Sequence, residues 1–313
     1  MRPLAPRPPR PRPFRFAAVL RTAGSGREWA AKARRLEDSG YAALLVPDHL
    51  VGPRLAPVAA MTAAACATER LTVGTLVFAN DYRHPAVLAK EAATVDVLSD
   101  GRLEFGLGTG WMAGDYDAAG LPLDPPGVRV DRLAEAIAVL KGLWRGGPFS
   151  FAGEHYRIDA LEQDPVPVQR PGPRLMLGGG GPRMLRLAAR EADVVNLTMR
   201  VRADGTGPDA SDGGPGAFQR KIEIVRDAAG ARFGDVELGT SVLRIGPERG
   251  TEAWSAADPS AQADTPQVLT GSTDEICDRL LRWREDLGLT YYVLHHERDL
   301  DAFTPVVEKL AGT

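Results

Sequence analysis

Eight short apolar runs, each followed by a segment with helical spacing, constrain this chain more than any other feature. The strand-like runs are 14–20, 41–46, 71–78, 102–107, 174–177, 193–197, 236–245 and 291–295. The helix-like segments are 27–39, 57–68, 85–99, 130–144, 182–191, 218–229, 273–287 and 301–310. Strict alternation implies a parallel sheet with helices covering it, and eight units suggest closure into a (β/α)8 barrel. The 313 residues suffice for one such barrel or for two ordinary domains. A doubly wound open sheet needs a reversal of strand order that a sequence does not display. We therefore expect an α/β fold with a single barrel over 14–313.

The pieces support the alternation. Leu71 to Phe78 is rich in β-branched and apolar residues and contains no proline, as befits a strand buried on both faces. Leu133, Ile137, Leu140 and Trp144 form one helical stripe, and Ser272 or Thr273 ahead of Asp274 and Glu275 reads as an acidic helix start. The connections 112–129, 146–173 and 246–271 exceed the usual α/β loop, as does the Gly, Asp and Pro-rich stretch 200–216. Such loops serve as lids or as plain surface insertions. Within the second, aromatic residues flank Gly153 between Phe149 and Ile158 and suggest a small hairpin.

With 38 basic and 41 acidic side chains the formal charge is −3, which gives no reason to expect nucleic acid or an anionic membrane as partner. A small-molecule substrate is the expected partner. Cys66 and Cys277 belong to no metal or redox motif, so we expect two reduced, packed thiols in a cytoplasmic protein and no metal site. The opening MRPLAPRPPRPRP has charge without a following apolar segment and reads as a disordered tail over 1–13, not a secretory signal. No uninterrupted apolar stretch of about 18 residues suggests a membrane span.

Three loops carry candidate chemistry. Asp48 and His49 directly follow the strand ending at Val46, where a barrel places its active-site mouth. An imidazole there can exchange protons near neutral pH, or the pair can be an ordinary loop cap. Gly106-Leu107-Gly108-Thr109-Gly110 looks like a dinucleotide fingerprint, but Trp111 and a long loop follow instead of a helix. It reads as close backbone approach to a flat ligand or as a tight turn. Gly178-Gly179-Gly180-Gly181 precedes Pro182 and a helix, so its amides can receive phosphate oxygens, with Arg183 nearby. In Asn80 to His84, Arg83 or His84 could meet an anionic tail or belong to a solvated loop. His155, His295 and His296 read as solvated or packed, and neither GxSxG nor HExxH occurs.

These motifs resemble the luciferase-like flavin and deazaflavin oxidoreductases, specifically the actinobacterial branch using coenzyme F420. The resemblance rests on VPDHL at 46–50, on the run from Val73 to Trp111, on VRVDRLAEAIAVLKGLW and on LGGGGPRMLRLAAREADVVNLT. It implies a luciferase-like (β/α)8 barrel with the cofactor ring at the carboxyl ends of the strands. His49 would assist hydride transfer and Asp48 would approach the ring. A cis peptide at Leu76-Val77 would form a bulge behind the ring, with Ala79 beside it. Thr109 would contact the ring or side chain, Gly178, Gly179, Gly180 and Gly181 the phosphate, and Thr198 would be a weaker phosphate contact.

One departure matters. Sugar-phosphate dehydrogenases of this family carry a catalytic glutamate after the GTG loop, where this chain has Trp111, which would instead wall an apolar substrate cavity or pack the loop. The leading expectation is hydride transfer between F420 and a small organic substrate. An FMN-dependent monooxygenase supplied by a flavin reductase is the alternative, and a non-catalytic flavin-binding protein is a reading of another class. The resemblance also implies a homodimer.

Overall fold

The computed structural model describes residues 12–202, 204–246 and 265–313. Most of the expected tail and most of the 246–271 connection lie outside these residues. Eight parallel strands form the barrel: β1 (Arg15–Val19), β2 (Ala43–Val46), β3 (Thr72–Thr75), β4 (Leu103–Gly108), β5 (Arg174–Gly179), β6 (Val194–Leu197), β7 (Glu237–Val242) and β8 (Leu289–Leu294). Their order is β3-β2-β1-β8-β7-β6-β5-β4, and pairing of Val73 with Leu103 and Gly74 with Glu104 closes the ring. The expected barrel is the observed one.

Nine helices are described: α1 (Gly26–Asp38), α2 (Pro57–Ala67), α3 (Pro85–Leu98), α4 (Ala113–Ala119), α5 (Pro126–Trp144), α6 (Pro182–Glu191), α7 (Pro215–Ala229), α8 (Thr273–Leu287) and α9 (Leu300–Leu310). The α5 stripe of Leu133, Ile137, Leu140 and Trp144 is buried against the barrel. At α8, Ser272 and Glu275 form a reciprocal capping box, which supplies partners for amides that a helix start leaves unpaired. Antiparallel strands at 148–152 and 157–162 form the expected hairpin. None of the described helices is long and apolar enough to cross a membrane.

Local departures have local causes. The run 71–78 is broken by a cis peptide bond between Leu76 and Val77, after which Phe78 and Ala79 pair with Leu107 and Gly108. The run 236–245 leaves the barrel after Val242, and Arg244 and Ile245 pair instead with Val268 and Leu269. Helix α4 lies inside a connection expected to be irregular; it has seven residues and ends at Gly120 with φ +66°. Cys277 is buried as expected, but Cys66 is exposed on α2.

Two apolar layers hold the barrel. One lies between sheet and helices, and the other fills the interior through Ala17, Val19, Ala43, Leu45, Met176, Val194, Tyr291 and Val293. Below the interior layer, near the amino ends of the strands, sits a polar floor. Arg15 reaches Glu104 and Glu237 at 2.8 Å each, Arg174 reaches Glu237 at 2.7 Å, and the Tyr291 hydroxyl donates to Glu104 at 2.6 Å. The Arg15 guanidinium lies 4.4 Å from the Tyr291 ring centre. Both carboxylates are buried, and the surrounding donors offset the cost of removing their charge from water.

Candidate active site

At the opposite end, the carboxyl ends of the strands surround a cavity of about 610 Å³. All the residues expected at the site line it: Asp48, His49, Leu76, Val77, Ala79, Thr109, Trp111, Gly178, Gly179, Gly180, Gly181 and Thr198. The strand ends bring these expected residues together across as many as 150 positions of the chain, from Asp48 to Thr198.

Asp48 is buried and its oxygens are committed. Oδ2 accepts from the Ala79 amide at 3.0 Å and from Arg83 Nη1 at 2.6 Å, and Oδ1 accepts from Arg83 Nη2 at 3.2 Å. It thus ties the loop after β2 to the segment that follows the cis bond. Arg83 lies off the main cavity, and so does His84, whose Nδ1 accepts from the Ala86 amide at the start of α3. The anionic-tail reading of these two residues gives way to bracing and capping.

His49 is only partly exposed, and its Nδ1 lies 2.6 Å from Asp115 Oδ2. Asp115, on α4, is fully buried. Its Oδ1 accepts from the Leu50 and Val51 amides at 3.1 and 2.8 Å, and its Oδ2 also accepts from the Tyr82 hydroxyl at 3.1 Å. Burial acts to raise the Asp115 pKa, but hydrogen bonds from His49 and the Val51 amide outweigh it and hold the carboxyl below its usual range. An ionised partner at Nδ1 fixes the neutral imidazole with its proton there and Nε2 as acceptor. The Trp111 indole meets the ring edge-on, with centres 5.8 Å apart. Burial and the neighbouring carboxylate push the Tyr82 hydroxyl well above its usual range, so it remains a donor.

Across the mouth, the glycine run joins β5 to α6. Its glycines differ in what encloses them. A Cβ on Gly180 would lie 2.4 Å from the Thr198 carbonyl oxygen and 2.6 Å from the Arg200 nitrogen, so packing with the chain after β6 requires glycine there. A Cβ on Gly178 would meet nothing nearer than 3.9 Å, beside Val77 and Asn196, and one on Gly181 would meet nothing within 4 Å. Unpaired amides at the start of α6 suit an anion. Arg183 lines the cavity, but its guanidinium already pairs with Asp131 and donates to the Gly127 carbonyl at 3.2 Å.

Sequence reasoning missed four features. Asp115 lay in a stretch without a recognisable motif, although the order Asp-Tyr before Gly120 contains the turn of helix that carries it. Asn196 lines the cavity from β6; its Nδ2 donates to Ser241 Oγ at 3.3 Å, while Oδ1 is buried without a hydrogen-bond partner among the described residues. His295, expected to be solvated or packed, lines the cavity at the end of β8. Arg21 and Arg54 line it after β1 and β2. Nothing in a sequence marks a lone histidine or arginine at a strand end unless the strand's position in the ring is known. Among the described residues, no three His, Cys, Asp or Glu side chains gather to hold a metal ion.

The model of the family described as luciferase-like monooxygenase matches residues 12–264. An F420-dependent glucose-6-phosphate dehydrogenase of Intrasporangium calvum is 34% identical over 307 residues, covering 87% of this chain and 90% of that one. An FMNH2-dependent dimethylsulfone monooxygenase of Pseudomonas putida is 29% identical over 211 residues, covering 67% of this chain and 54% of that one. Among solved structures, the coenzyme F420-dependent tetrahydromethanopterin reductase of Methanopyrus kandleri superposes with a TM-score of 0.76 at 16% identity, covering 96% of this chain and 98% of that one. With the family matched along most of the described barrel and the expected cleft at its carboxyl end, the chain belongs to the luciferase-like oxidoreductases, which work with F420 or FMN.

Proposed function

We propose that this protein transfers a hydride between deazaflavin coenzyme F420 and a small organic substrate bound in the mouth of the barrel. The observation that carries this reading is the His49–Asp115 pair, a proton carrier with a fixed tautomer on the cavity wall. Hydride transfer to or from a carbon bearing oxygen requires a matching proton transfer at that oxygen, which Nε2 of His49 would perform. The match to the F420-dependent dehydrogenase over 87% of the chain supports the same choice.

The residues present fit a flat, phosphate-bearing cofactor. The buried Asn196 Oδ1 can accept an N–H from a heterocycle edge, and the open space beside Gly178 lies between that amide and the Leu76-Val77 segment. Gly179, Gly180 and Gly181, with Thr198, would hold the phosphate at the start of α6. When bound, the cofactor supplies the hydride-transfer chemistry. The protein orients the reactants, and Trp111 with Met112 shields their contact from water. Asp115 holds the Nδ1 proton of His49 in place and leaves Nε2 to exchange one, and Asp48 with Arg83 braces the loop that carries His49.

Anaerobic incubation of the full chain with F420 and a panel of secondary alcohols, and with reduced F420 and the matching ketones, tests the reaction type. Substrate-dependent change in the F420 absorbance is expected. Oxygen consumption with reduced FMN, yielding an oxygenated product without any F420 turnover, would establish the monooxygenase reading instead.

A further inference from the structure

We propose that Tyr82 is a positioning residue for proton transfer: its hydroxyl shares an Asp115 oxygen with His49 and so sets how readily the imidazole releases a proton from Nε2. This deepens the proposed function and rests on it for the use to which that proton is put.

Two Asp-Tyr pairs in the sequence, Asp81-Tyr82 and Asp115-Tyr116, exchange hydrogen bonds. The first belongs to the single 3-10 turn Asn80–Tyr82, which follows the Leu76-Val77 segment, and the second to α4. Tyr82 donates to Asp115 Oδ2 at 3.1 Å across 33 positions of sequence, and Tyr116 donates to Asp81 Oδ2 at 2.9 Å across 35. The two tyrosine rings pack against each other, with centres 5.5 Å apart. Tyr116 is buried, and its hydroxyl leaves no room for a side chain at Gly110, where a Cβ would lie 2.0 Å from it. The crossed bonds therefore hold turn, helix and glycine loop in one register, with Tyr82 lining the same cavity as His49.

Asp115 offers two oxygens to four donors. Oδ1 takes the Leu50 and Val51 amides, while Oδ2 takes both His49 Nδ1 and the Tyr82 hydroxyl. Four donors fill the acceptor capacity of an ionised carboxylate. Because Tyr82 and His49 meet the same oxygen, the Tyr82 O–H draws charge from the atom that would stabilise an imidazolium. The carboxylate then holds the charged ring less strongly, and the Nε2 proton is easier to release. Burial, followed by the Asp115 charge, keeps the Tyr82 hydroxyl protonated well beyond its usual range, so it donates throughout the pH range in which a histidine titrates. Asp48, Arg21, Arg54 and His295 share the cavity wall with His49 from the loops after β1, β2 and β8, and all stay in place when Tyr82 is changed.

NMR of the full chain with isotope-labelled histidine rings, without cofactor, tests the assignment through the His49 titration midpoint, the signal being identified by its loss in His49→Gln. Tyr82→Phe should raise the midpoint by roughly half a unit or more, the scale of one hydrogen bond withdrawn from a neighbouring charge. Tyr116→Phe removes the other crossed bond and should leave the midpoint where it is. In the F420 assay the pH–rate profile of Tyr82→Phe should move toward alkaline pH by the same amount. An unmoved midpoint in a folded Tyr82→Phe protein, or an equal rise in both variants, would overturn the proposal. Placing meta-fluorotyrosine at position 82 keeps the shape and strengthens the donor, so it should lower the midpoint; should Tyr82→Phe not fold, an unmoved or raised midpoint there would overturn the proposal instead. A rise in Tyr82→Phe with no F420 turnover even in the wild type would sustain the role of Tyr82 and overturn the deazaflavin reading alone.

Discussion

The two ends of this barrel treat buried polar groups in opposite ways. At the floor, Arg15, Arg174, Glu104, Glu237 and Tyr291 serve one another at 2.6 to 2.8 Å. At the mouth, Asn196 Oδ1, His295 Nδ1 and Arg54 Nε are buried and lack partners among the described residues. An unpaired buried polar atom costs roughly 1–3 kcal/mol, so a fold tolerates several of them together where binding a ligand recovers the cost. The floor maintains the barrel, and the mouth uses the barrel as a rigid frame.

The largest effect should come from the floor. Glu104→Ala leaves Arg15 with one fewer carboxylate and the Tyr291 hydroxyl without its acceptor, and should cost about 3–5 kcal/mol in urea unfolding. A loss below about 1 kcal/mol would remove the distinction between the two ends. At the mouth, Asp115→Asn should slow hydride transfer on the order of 100-fold and displace the pH–rate profile, while F420 affinity changes little. Asp115→Glu should recover part of the rate. An unchanged pH profile would reduce Asp115 to a packing role.

The smallest effect concerns His295. Its folded pKa lies well below the reference 6.5, so the unfolded chain takes up a proton that the folded chain refuses. Stability is therefore lost as pH falls through 6.5 toward the lowered value, by at most about 1.4 kcal/mol per pH unit from this group. His295→Gln should make the decline between pH 7 and 5 shallower in thermal melts. An identical slope would show that the group titrates normally.

The fold was legible because a parallel barrel writes itself as alternation, and the burial of β4 and β8 on both faces leaves mostly apolar runs, interrupted by Glu104 and Thr290. The glycine run and Asp48-His49 were legible because each adjoins a strand end. Other features depend on closure of the ring. Asp115 reaches His49 across 66 positions of sequence, and its helix, with seven residues including Gly114, gives a periodic pattern little room. His295 and Arg54 become neighbours of the site only because β8 and β2 both flank β1. The four glycines are alike in sequence, yet backbone packing demands glycine at Gly180, while Gly178 has room for a methyl group.

That last difference gives the most direct test of the claim that the mouth is built for a deazaflavin. A methyl group at Gly178 meets the protein only at ordinary contact distances, 3.9 Å from both the Asn196 backbone carbonyl oxygen and Val77 Cγ1, but enters the space assigned to the ring. F420 and FMN titrations should be run on the wild-type chain and Gly178→Ala, with melting temperatures measured in parallel. F420 should bind the wild type more tightly than FMN does, and Gly178→Ala, melting no lower, should lose affinity about tenfold or more. Preference for FMN, or unchanged F420 affinity in Gly178→Ala, would contradict it.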